Sequence, residues 1–460
     1  MNETKNPLGT VAQRLAQVIA QATPEKDTLG QQVGQRLLMD VAGICLAARN
    51  ESYVKAALAS LDQDGPCTVI GFAQSCGVEG AAFVNGIAAH GEDFDDTYEG
   101  GPVHAGAVVV PALLAAAQRH ALSGDMLLRG IAMGVEVTCR LCSVAPMQVH
   151  KAGFHPTAIF GVFGAVAGLG AALKLTQQQI VDALGIAGSM AGGIIEYLAD
   201  GSWTKRMHPG WAAQSAYRAV RLAQNGFKGP ATVFEGKHGV FHGFANTSAG
   251  DFEAMFNGFG REWVWTSIAF KPYACGTMAH PFIDCARAFR AKGIALDQIA
   301  KIECNTAEGI VHRLWEPLAL KASPPNGYAA KFSIPYAIAA GLTFDDAGLG
   351  EYAEDVVQRA DLRALAAKVS YIVDPNNPYP KQFTGHLRIT LKNGEVHEHS
   401  QGYFKGGVDH PMSDADLQQK FLANCRYGKV SDAQAQALLS QLGSAFGAGA
   451  VNVSALALVA

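Results

Sequence analysis

The stretch that decides the fold is "TAIFGVFGAVAGLGAALKL", Thr157–Leu175, which is apolar over nearly the length needed to cross a membrane. It is dense in glycine and alanine, and it lacks the basic and aromatic anchors that flank membrane-spanning helices. The pattern therefore predicts a buried central helix packed among other helices, and we expect no membrane partner.

Helical periodicity surrounds this stretch from Val11 to about Leu222. Apolar residues recur three and four positions apart in "VAQRLAQVIAQ" (residues 11–21) and "GQRLLMDVAGICLAA" (residues 34–48), and glycine and proline mark the joints. Strand-like alternation is hard to find in this part of the chain. The first half therefore predicts a large helical domain.

Strand patterns begin after residue 268. "IAKIECNTA" (299–307), "AAKVSYIVDP" (366–375) and "HLRITLKNGEVHEHS" (386–400) are β-rich, and Asn393-Gly394 predicts a hairpin turn. Helix then returns after Ser413, which is suited to an N-cap. The predicted fold is mainly α: a large all-helical domain (residues 1–268 plus 405–460) with an inserted smaller α/β lid domain (269–404) and a site in the cleft between them.

Composition excludes several classes of protein. Apolar residues make up 49% and charged residues 17% of the chain. The net charge of −4 does not favour binding to nucleic acid, so we expect no nucleic-acid partner. The nine cysteines are scattered, so Cys139 and Cys142 are interpreted as small buried residues on a helix and not as a zinc or redox pair. The polar N-terminus lacks a signal pattern, which favours the cytoplasm.

An acidic and histidine-rich stretch, "HGEDFDDTYEGGPVHAGAV" (residues 90–108), precedes a long apolar run. A haloacid-dehalogenase-type loop would need a buried strand before it, whereas the preceding residues predict helix. A terpene-cyclase-type acid motif needs an aromatic pocket, and only 8% of the residues are aromatic. The structural alternative is that Asp93 and Asp96 cap a helix end.

Further chemistry-bearing residues recur downstream. His155 stands in "KAGFHPTAIFG" at the start of the small-residue helix, and Tyr336 stands in "AAKFSIPYA". The remaining candidates are Lys205, Arg206 and His208 in "DGSWTKRMHPG", just ahead of an alanine-rich helix, and Lys271 and His280 in "KPYACGTMAHP". The structural alternatives are a satisfied core histidine and a solvated basic turn.

Together these motifs, ending with "DHPMSDADLQQKF" (409–421), resemble the MmgE/PrpD family in content and in order. That family includes 2-methylcitrate dehydratase, cis-aconitate decarboxylase and iminodisuccinate epimerase. The resemblance implies a helical domain with a lid domain, a homodimer, and catalysis without metal or organic cofactor. The catalytic residues that it implies are Asp93, Thr97, His104, His155, Lys205, His280 and Tyr336.

The hard step shared by such reactions is the formation or quenching of a carbanion next to a carboxylate. Cationic groups must bind the carboxylate oxygens, a role that we predict for Lys205. Its predicted helpers in substrate binding are Arg206, His208 and Lys271.

Proton transfer near neutral pH suits the imidazoles of His104 and His155. Asp93 is predicted to orient or acidify one of them. Because Asp93 and Thr97 lie four residues apart, we expect them to share one face of a helix.

Differences from the family's motifs reduce the number of reaction types that we expect. "VHAGAV" stands where dehydratases of the 2-methylcitrate type carry "HPSDN", which favours the decarboxylase and epimerase branch. His150 and Lys151 occupy the place of an epimerase tyrosine. The predicted function is a cofactor-independent lyase, a dehydratase or decarboxylase, that acts on a small di- or tricarboxylate by general acid/base proton transfer next to a carboxylate. The alternatives are an isomerase or epimerase of an imino- or substituted succinate, and a catalytically silent carboxylate binder.

Overall fold

The computed structural model describes residues 9–62, 64–247 and 249–458, and it is mainly helical with small sheets, as predicted. The chain forms two compact units. Unit 1 comprises the chain up to Gly91, Asp95–Ile268 and the chain from Asn424 onward; unit 2 comprises Glu92–Phe94 and Ala269–Ala423. The predicted lid role and interdomain cleft stay predictions. The first eight residues, which bear on the predicted location in the cytoplasm, lie outside the described residues.

Unit 1 is built from helices and very short strands. In chain order these are α1 (Val11–Gln21), α2 (Thr28–Ala48), α3 (Ser52–Ala59), β1 (Cys67–Thr68), β2 (Ser75–Cys76), α4 (Val78–His90), β3 (Thr97–Tyr98), α5 (Gly106–His120), α6 (Gly124–Val144), α7 (Gln148–Lys151), α8 (Pro156–Ala172), α9 (Gln177–Gly188), α10 (Thr204–Gln224), α11 (Val240–Ala245) and α12 (Phe252–Phe256).

The predicted central helix is α8, and every one of its residues is buried. It packs closely against α6 because glycines face each other across the contact. A Cβ atom on Gly168 would lie 2.5 Å from the carbonyl oxygen of Gly130, and one on Gly164 would lie 2.5 Å from that of Gly134. The small residues of the stretch therefore serve helix packing. Among the described residues, no helix is both long and apolar enough to pass through a bilayer.

A second close crossing joins α4 and α10. A Cβ atom on Gly86 would lie 2.6 Å from the Cα atom of Gly210, so both positions require glycine. The crossing lies four residues before His90, where α4 ends, and two residues after His208 in α10. It thereby fixes the ends of two helices that carry candidate site residues.

Unit 2 contains the predicted α/β elements. After β4 (Ile268–Ala269), which spans the boundary, come α13 (His280–Ala291), β5 (Ile299–Thr306), α14 (Glu308–Leu314), α15 (Leu318–Ala322), α16 (Gly327–Ala330), α17 (Ile334–Thr343), α18 (Glu354–Val357), α19 (Ala360–Ala366), β6 (Val369–Val373), β7 (Gly385–Leu391) and β8 (Val396–Gln401). The sheet order is β6-β5-β7-β8, with β5 parallel to β6 and antiparallel to β7. The predicted strands and the hairpin at Asn393-Gly394 are confirmed.

Two helices end the chain, α20 (Asp414–Tyr427) and α21 (Asp432–Gly443). The predicted N-cap is confirmed, because the Ser413 hydroxyl accepts a hydrogen bond from the Asp416 amide at 3.1 Å. Residues after α21 bond to an earlier part of unit 1, where the Val451 amide donates to the Leu122 carbonyl at 2.9 Å.

All nine cysteines are free and buried. Cys139 and Cys142 lie on α6, and burial raises the pKa of the Cys142 thiol to about 12. A thiol held in its neutral form packs as a small apolar group, as predicted for this pair.

Candidate active site

The turn that follows α4 differs from the prediction. Asp93 has a left-handed backbone with φ of +54°, and Thr97 is a buried residue of β3. The expectation that Asp93 and Thr97 share a helix face is therefore wrong. The physical reason is that the Asp93 carbonyl accepts a hydrogen bond from the Lys271 ammonium, so it does not continue the helical ladder.

Four histidine rings in unit 1 form a continuous row, His104–His90–His155–His208, which we call the imidazole row. The ring centroids are 5.1 Å apart for His104 and His90, 5.4 Å for His90 and His155, and 5.3 Å for His155 and His208. Tyr197 lies edge-on to the last two rings. The structure thus places three sequence-predicted residues, His104, His155 and His208, in one cluster.

Oxygen acceptors fix the protons on the first two rings. His90 Nδ1 lies 2.7 Å from Asp95 Oδ2, and His104 Nδ1 lies 2.7 Å from the Asp96 carbonyl oxygen. A carbonyl or carboxylate oxygen only accepts, so each Nδ1 carries a proton and donates it. The His104 backbone is held in turn, because its amide donates to the Thr157 hydroxyl at 3.1 Å.

His155 and His208 share a short contact, with their Nδ1 atoms 3.1 Å apart. His155 is the N-cap residue of α8, as its position before Pro156 predicted. Burial and then the charge of His90 hold the pKa of His155 well below its usual range, and the same two causes lower that of His208 to about 4. Both rings are therefore neutral at pH 7 before any ligand arrives.

The predicted cation Lys205 is buried, and its charge is the third cause that lowers the pKa values of His155 and His208, so it lies beside the row. The helix α10 begins at Thr204, which places Lys205 and its neighbours in the first turns of the helix and not ahead of it. The Arg206 guanidinium stacks over the ring of Tyr53 at 4.3 Å.

In unit 2, three lysines donate to three consecutive carbonyls of Glu92–Phe94, which we call the lysine-capped segment. Lys331 Nζ donates to the Glu92 carbonyl at 2.7 Å, Lys271 Nζ to that of Asp93 at 2.9 Å, and Lys420 Nζ to that of Phe94 at 2.8 Å. The side chains pair as well: Lys271 Nζ lies 2.7 Å from Asp93 Oδ1, and Lys331 bonds the Glu92 carboxylate. All of these lysines are buried.

This pairing changes the predicted role of one aspartate. Asp93 forms an ion pair with Lys271, whereas Asp95 contacts the imidazole of His90 in the row. The structure therefore gives Asp95 the orienting role that we predicted for Asp93.

The remaining predicted residues, His280 and Tyr336, are fully buried in unit 2. His280 Nε2 lies 3.2 Å from the Cys275 carbonyl, and burial, followed by the charge of Lys271, lowers the pKa of His280 to about 3. The Tyr336 hydroxyl donates to the Glu351 carbonyl at 2.6 Å, and burial raises its pKa. Their predicted catalytic roles stay predictions.

One group of side chains has the spacing of a metal site. His90, Asp95 and His104 each bring a ligand atom within 4.8 Å of the others. Both Nδ1 atoms, however, already donate to oxygen acceptors, and a metal bound through them would have to displace these protons. We therefore interpret the group as an acid–base cluster and do not assign metal ligands.

A separate cavity of about 1290 Å³ lies elsewhere in unit 1, and its wall includes Arg14, Glu235 and Lys237. None of the predicted site residues lines it. The chemistry-bearing cluster and this cavity are thus different places.

Sequence reasoning missed His90, Asp95 and the cations Lys331 and Lys420. His90 and Asp95 belong to the acidic and histidine-rich stretch of residues 90–108. Their contact could not be predicted, because it depends on α4 ending at His90 and on the turn that follows. The lysine-capped segment has no local signal, because its partners lie 178, 239 and 326 residues away along the chain.

Comparison with known proteins agrees with the ordered motifs. Residues 13–253 match the MmgE/PrpD N-terminal domain, and residues 273–442 match the MmgE/PrpD C-terminal domain. Cis-aconitate decarboxylase of Mus musculus is 31% identical over 75% of this chain and 71% of its own length. The cis-aconitate decarboxylase-like protein oryM of Aspergillus oryzae is 25% identical over 90% of each chain, and cis-aconitate decarboxylase of Aspergillus terreus is 28% identical over 70% of this chain and 69% of its own. With both domain matches together spanning most of its length, the chain belongs to the MmgE/PrpD family.

Proposed function

We propose that this chain is a lyase that decarboxylates a tricarboxylate of the cis-aconitate type by proton transfer between protein side chains and substrate carbon. Two of the relatives named above are cis-aconitate decarboxylases, and this chain covers more than two thirds of the length of each at 28% identity or more. The departure "VHAGAV" already favoured this branch of the family over the dehydratases.

The reaction needs one proton for each turnover. In cis-aconitate, the bond between the methylene carbon and its carboxylate breaks and releases CO2. The bonding pair forms a new C=CH2 double bond, and the pair of the old double bond moves to the former vinyl carbon. That carbon takes up a proton, so the product is methylenesuccinate.

The imidazole row is the observation that carries the proposal. At pH 7 the rings of His155 and His208 are neutral, because burial and neighbouring positive charge lower their pKa values. A bound polycarboxylate brings negative charge, which raises these pKa values and favours protonation of a ring. The protonated ring then has a proton to deliver to carbon, while Lys205 binds a carboxylate.

The other predicted residues are proposed to act in the substrate site and not in the proton transfer to carbon. Asp93, Thr97, His280 and Tyr336 are proposed to shape the substrate site, as the family resemblance implies. We propose that no cofactor takes part, and that the enzyme is a cytoplasmic homodimer. Light scattering coupled to size exclusion would measure the number of subunits.

Turnover in D2O tests the reaction directly. We expect cis-aconitate to disappear with stoichiometric CO2 release, and proton NMR of the product to show one deuterium at the methylene carbon next to a carboxylate. Citrate and 2-methylcitrate serve as parallel substrates. Loss of water from them would instead indicate a dehydratase.

Two other outcomes would contradict decarboxylation. Deuterium exchange into an imino- or hydroxysuccinate without net conversion would indicate an epimerase. Measurable binding of every compound without exchange or turnover would indicate a silent carboxylate binder.

A further inference from the structure

His90 holds the central position in the imidazole row. It is the last residue of α4 and is 1% exposed, with the ring of His104 on one side and that of His155 on the other. The ring of His155 is nearly parallel to it, at an interplanar angle of 29°. His90 is therefore the only ring of the row that contacts both predicted proton-transfer histidines directly.

Asp95 fixes this central ring from one edge. Its Oδ2 atom is 2.7 Å from His90 Nδ1 and 3.8 Å from His104 Nδ1, and the side chains of His90 and Asp95 are completely buried. The pair repeats a carboxylate–imidazole arrangement in which the acid holds the tautomer and orientation of the ring. The position of the His90 ring is thus set independently of any substrate.

The opposite edge of His90 has no hydrogen-bond partner among the described residues. Nε2 is buried and makes no hydrogen bond with any described residue. Burying a polar atom without a hydrogen bond is unfavourable, and this marks Nε2 as the edge of the ring at which a ligand or a proton can bind. Since Nδ1 donates its proton to Asp95, Nε2 is the ring nitrogen that can make a further hydrogen bond.

We propose that His90 and Asp95 form a positioning pair for the proton transfer, in which Asp95 fixes His90 and His90 sets the orientation and charge state of His104 and His155. The inference rests on the proposed function, because it assigns to His90 an effect on the two histidines that the proposed reaction uses. It adds two residues to the machinery that neither the ordered motifs nor the comparisons assign.

The electrostatics of the row agree with this geometry. After burial, the charge of His90 is the largest cause that lowers the pKa of His155, and it ranks second for His208 too. The charged and titratable groups that face His155 are His90 at the end of α4, His104 before α5, Lys205 and His208 on α10, and Tyr197. Removing His90 leaves Lys205 as the main cation beside the ring.

Two substitutions test the pair, and each is read out in two ways. His90→Asn keeps a donor near the Nδ1 position and removes Nε2, whereas Asp95→Asn keeps the shape of the acid and removes its charge. In protein labelled with 15N-histidine and free of substrate, we expect the His155 titration to move to higher pH in both variants, because the charge of His90 beside the ring is removed or no longer held by Asp95. With cis-aconitate, kcat should fall about 10- to 100-fold while KM stays within about threefold.

The matched control is His120→Asn. His120 is a partly buried histidine of unit 1 that, like His90, contacts one side-chain oxygen, that of Tyr217 at 3.0 Å, and it lies outside the row. We expect the His155 titration and kcat to be unchanged in this variant. Circular dichroism and the thermal midpoint check that each variant folds.

The outcomes separate this inference from the proposed function. An unchanged His155 titration in folded His90→Asn and Asp95→Asn overturns it, even if kcat falls, since the loss would then be structural. If neither variant folds, the wild-type 15N shifts decide, because an Nδ1 of His90 without a proton at pH 7 also overturns it. If the wild type converts no tricarboxylate, the proposed function fails while the titrations still test the pair.

Discussion

Lys205 and His155 lie in the same cluster of unit 1 but are predicted to act at different points of the reaction. A cation that binds a carboxylate acts both on the bound substrate and in the transition state, whereas a proton donor acts chiefly in the transition state. We expect Lys205→Met to raise KM and to lower kcat/KM about 10- to 100-fold. Steady-state kinetics with cis-aconitate would measure both constants.

His155→Gln should behave differently. Because it removes the titrating ring, we expect kcat to fall about a hundredfold with KM nearly unchanged. Lys237→Met, at an exposed residue remote from the row, is the control for both variants. Equal and mild effects of Lys205→Met and His155→Gln would contradict the assigned roles.

At the scale of elements, the lysine-capped segment gives a stability prediction. Lys331→Met removes the ammonium that bonds both the carbonyl and the carboxylate of Glu92. Breaking a buried ion pair by removing one partner costs about 3–5 kcal/mol, and we expect a loss of that order in denaturant unfolding.

The matched control for this prediction is Lys321→Met. Lys321 also caps two carbonyls of unit 2, those of Arg313 and Phe332, but these bonds involve no carboxylate. We expect a loss of only about 1–2 kcal/mol. Similar losses for the two variants would show that the Glu92 carboxylate contributes little.

The helix crossing between α4 and α10 allows a second prediction at this scale. Gly86→Ala places a methyl group against the backbone of Gly210, so it should cost about 1–3 kcal/mol and should lower kcat by displacing His90. Gly243→Ala, in α11, meets open space and should be neutral or slightly stabilising. Thermal unfolding of both variants checks the first expectation, and an unchanged Gly86→Ala midpoint would contradict it.

A structural feature can be predicted from the sequence when adjacent residues determine it, and it cannot when it depends on residues far apart along the chain. His155 before Pro156, Ser413 at an N-cap and the hairpin at Asn393-Gly394 follow from a few adjacent residues, and all three were predicted correctly. The role of Asp93 was not, because its partner Lys271 lies 178 residues away. Local periodicity carries no information about which distant cation meets which carboxylate.

For the whole molecule, buried neutral histidines predict acid sensitivity. Burial lowers the pKa of His208 to about 4 and that of His280 to about 3, whereas the unfolded chain binds protons on both near pH 6.5. The stability that these rings contribute is therefore complete above pH 6.5 and is lost as the pH falls. At pH 5 the loss is about 2 kcal/mol for each ring.

Thermal midpoints at pH 7 and pH 5 measure this effect. We expect the difference between the two midpoints to be smaller in His280→Asn than in the wild type, since one of the rings has gone. His238→Asn, at an exposed histidine, should leave the difference unchanged. An equal difference in all three proteins would contradict the assignment.

Metal removal is a further test on the whole molecule. Because His90 and His104 use their Nδ1 protons for Asp95 and Asp96, we expect dialysis against EDTA to leave turnover and unfolding unchanged. A stoichiometric metal that is lost together with activity, and that restores activity when added back, would contradict this expectation.

The lysine-capped segment also has a consequence for the order in which the protein matures during synthesis. Its three carbonyls lie in the first quarter of the chain, whereas the last of their partners, Lys420, belongs to α20. A nascent chain that has emerged only as far as residue 400 has α4 and the first imidazoles but lacks one of the three ammonium groups that hold Glu92–Phe94. The acidic motif can therefore reach its final geometry only after nearly the whole chain has left the ribosome.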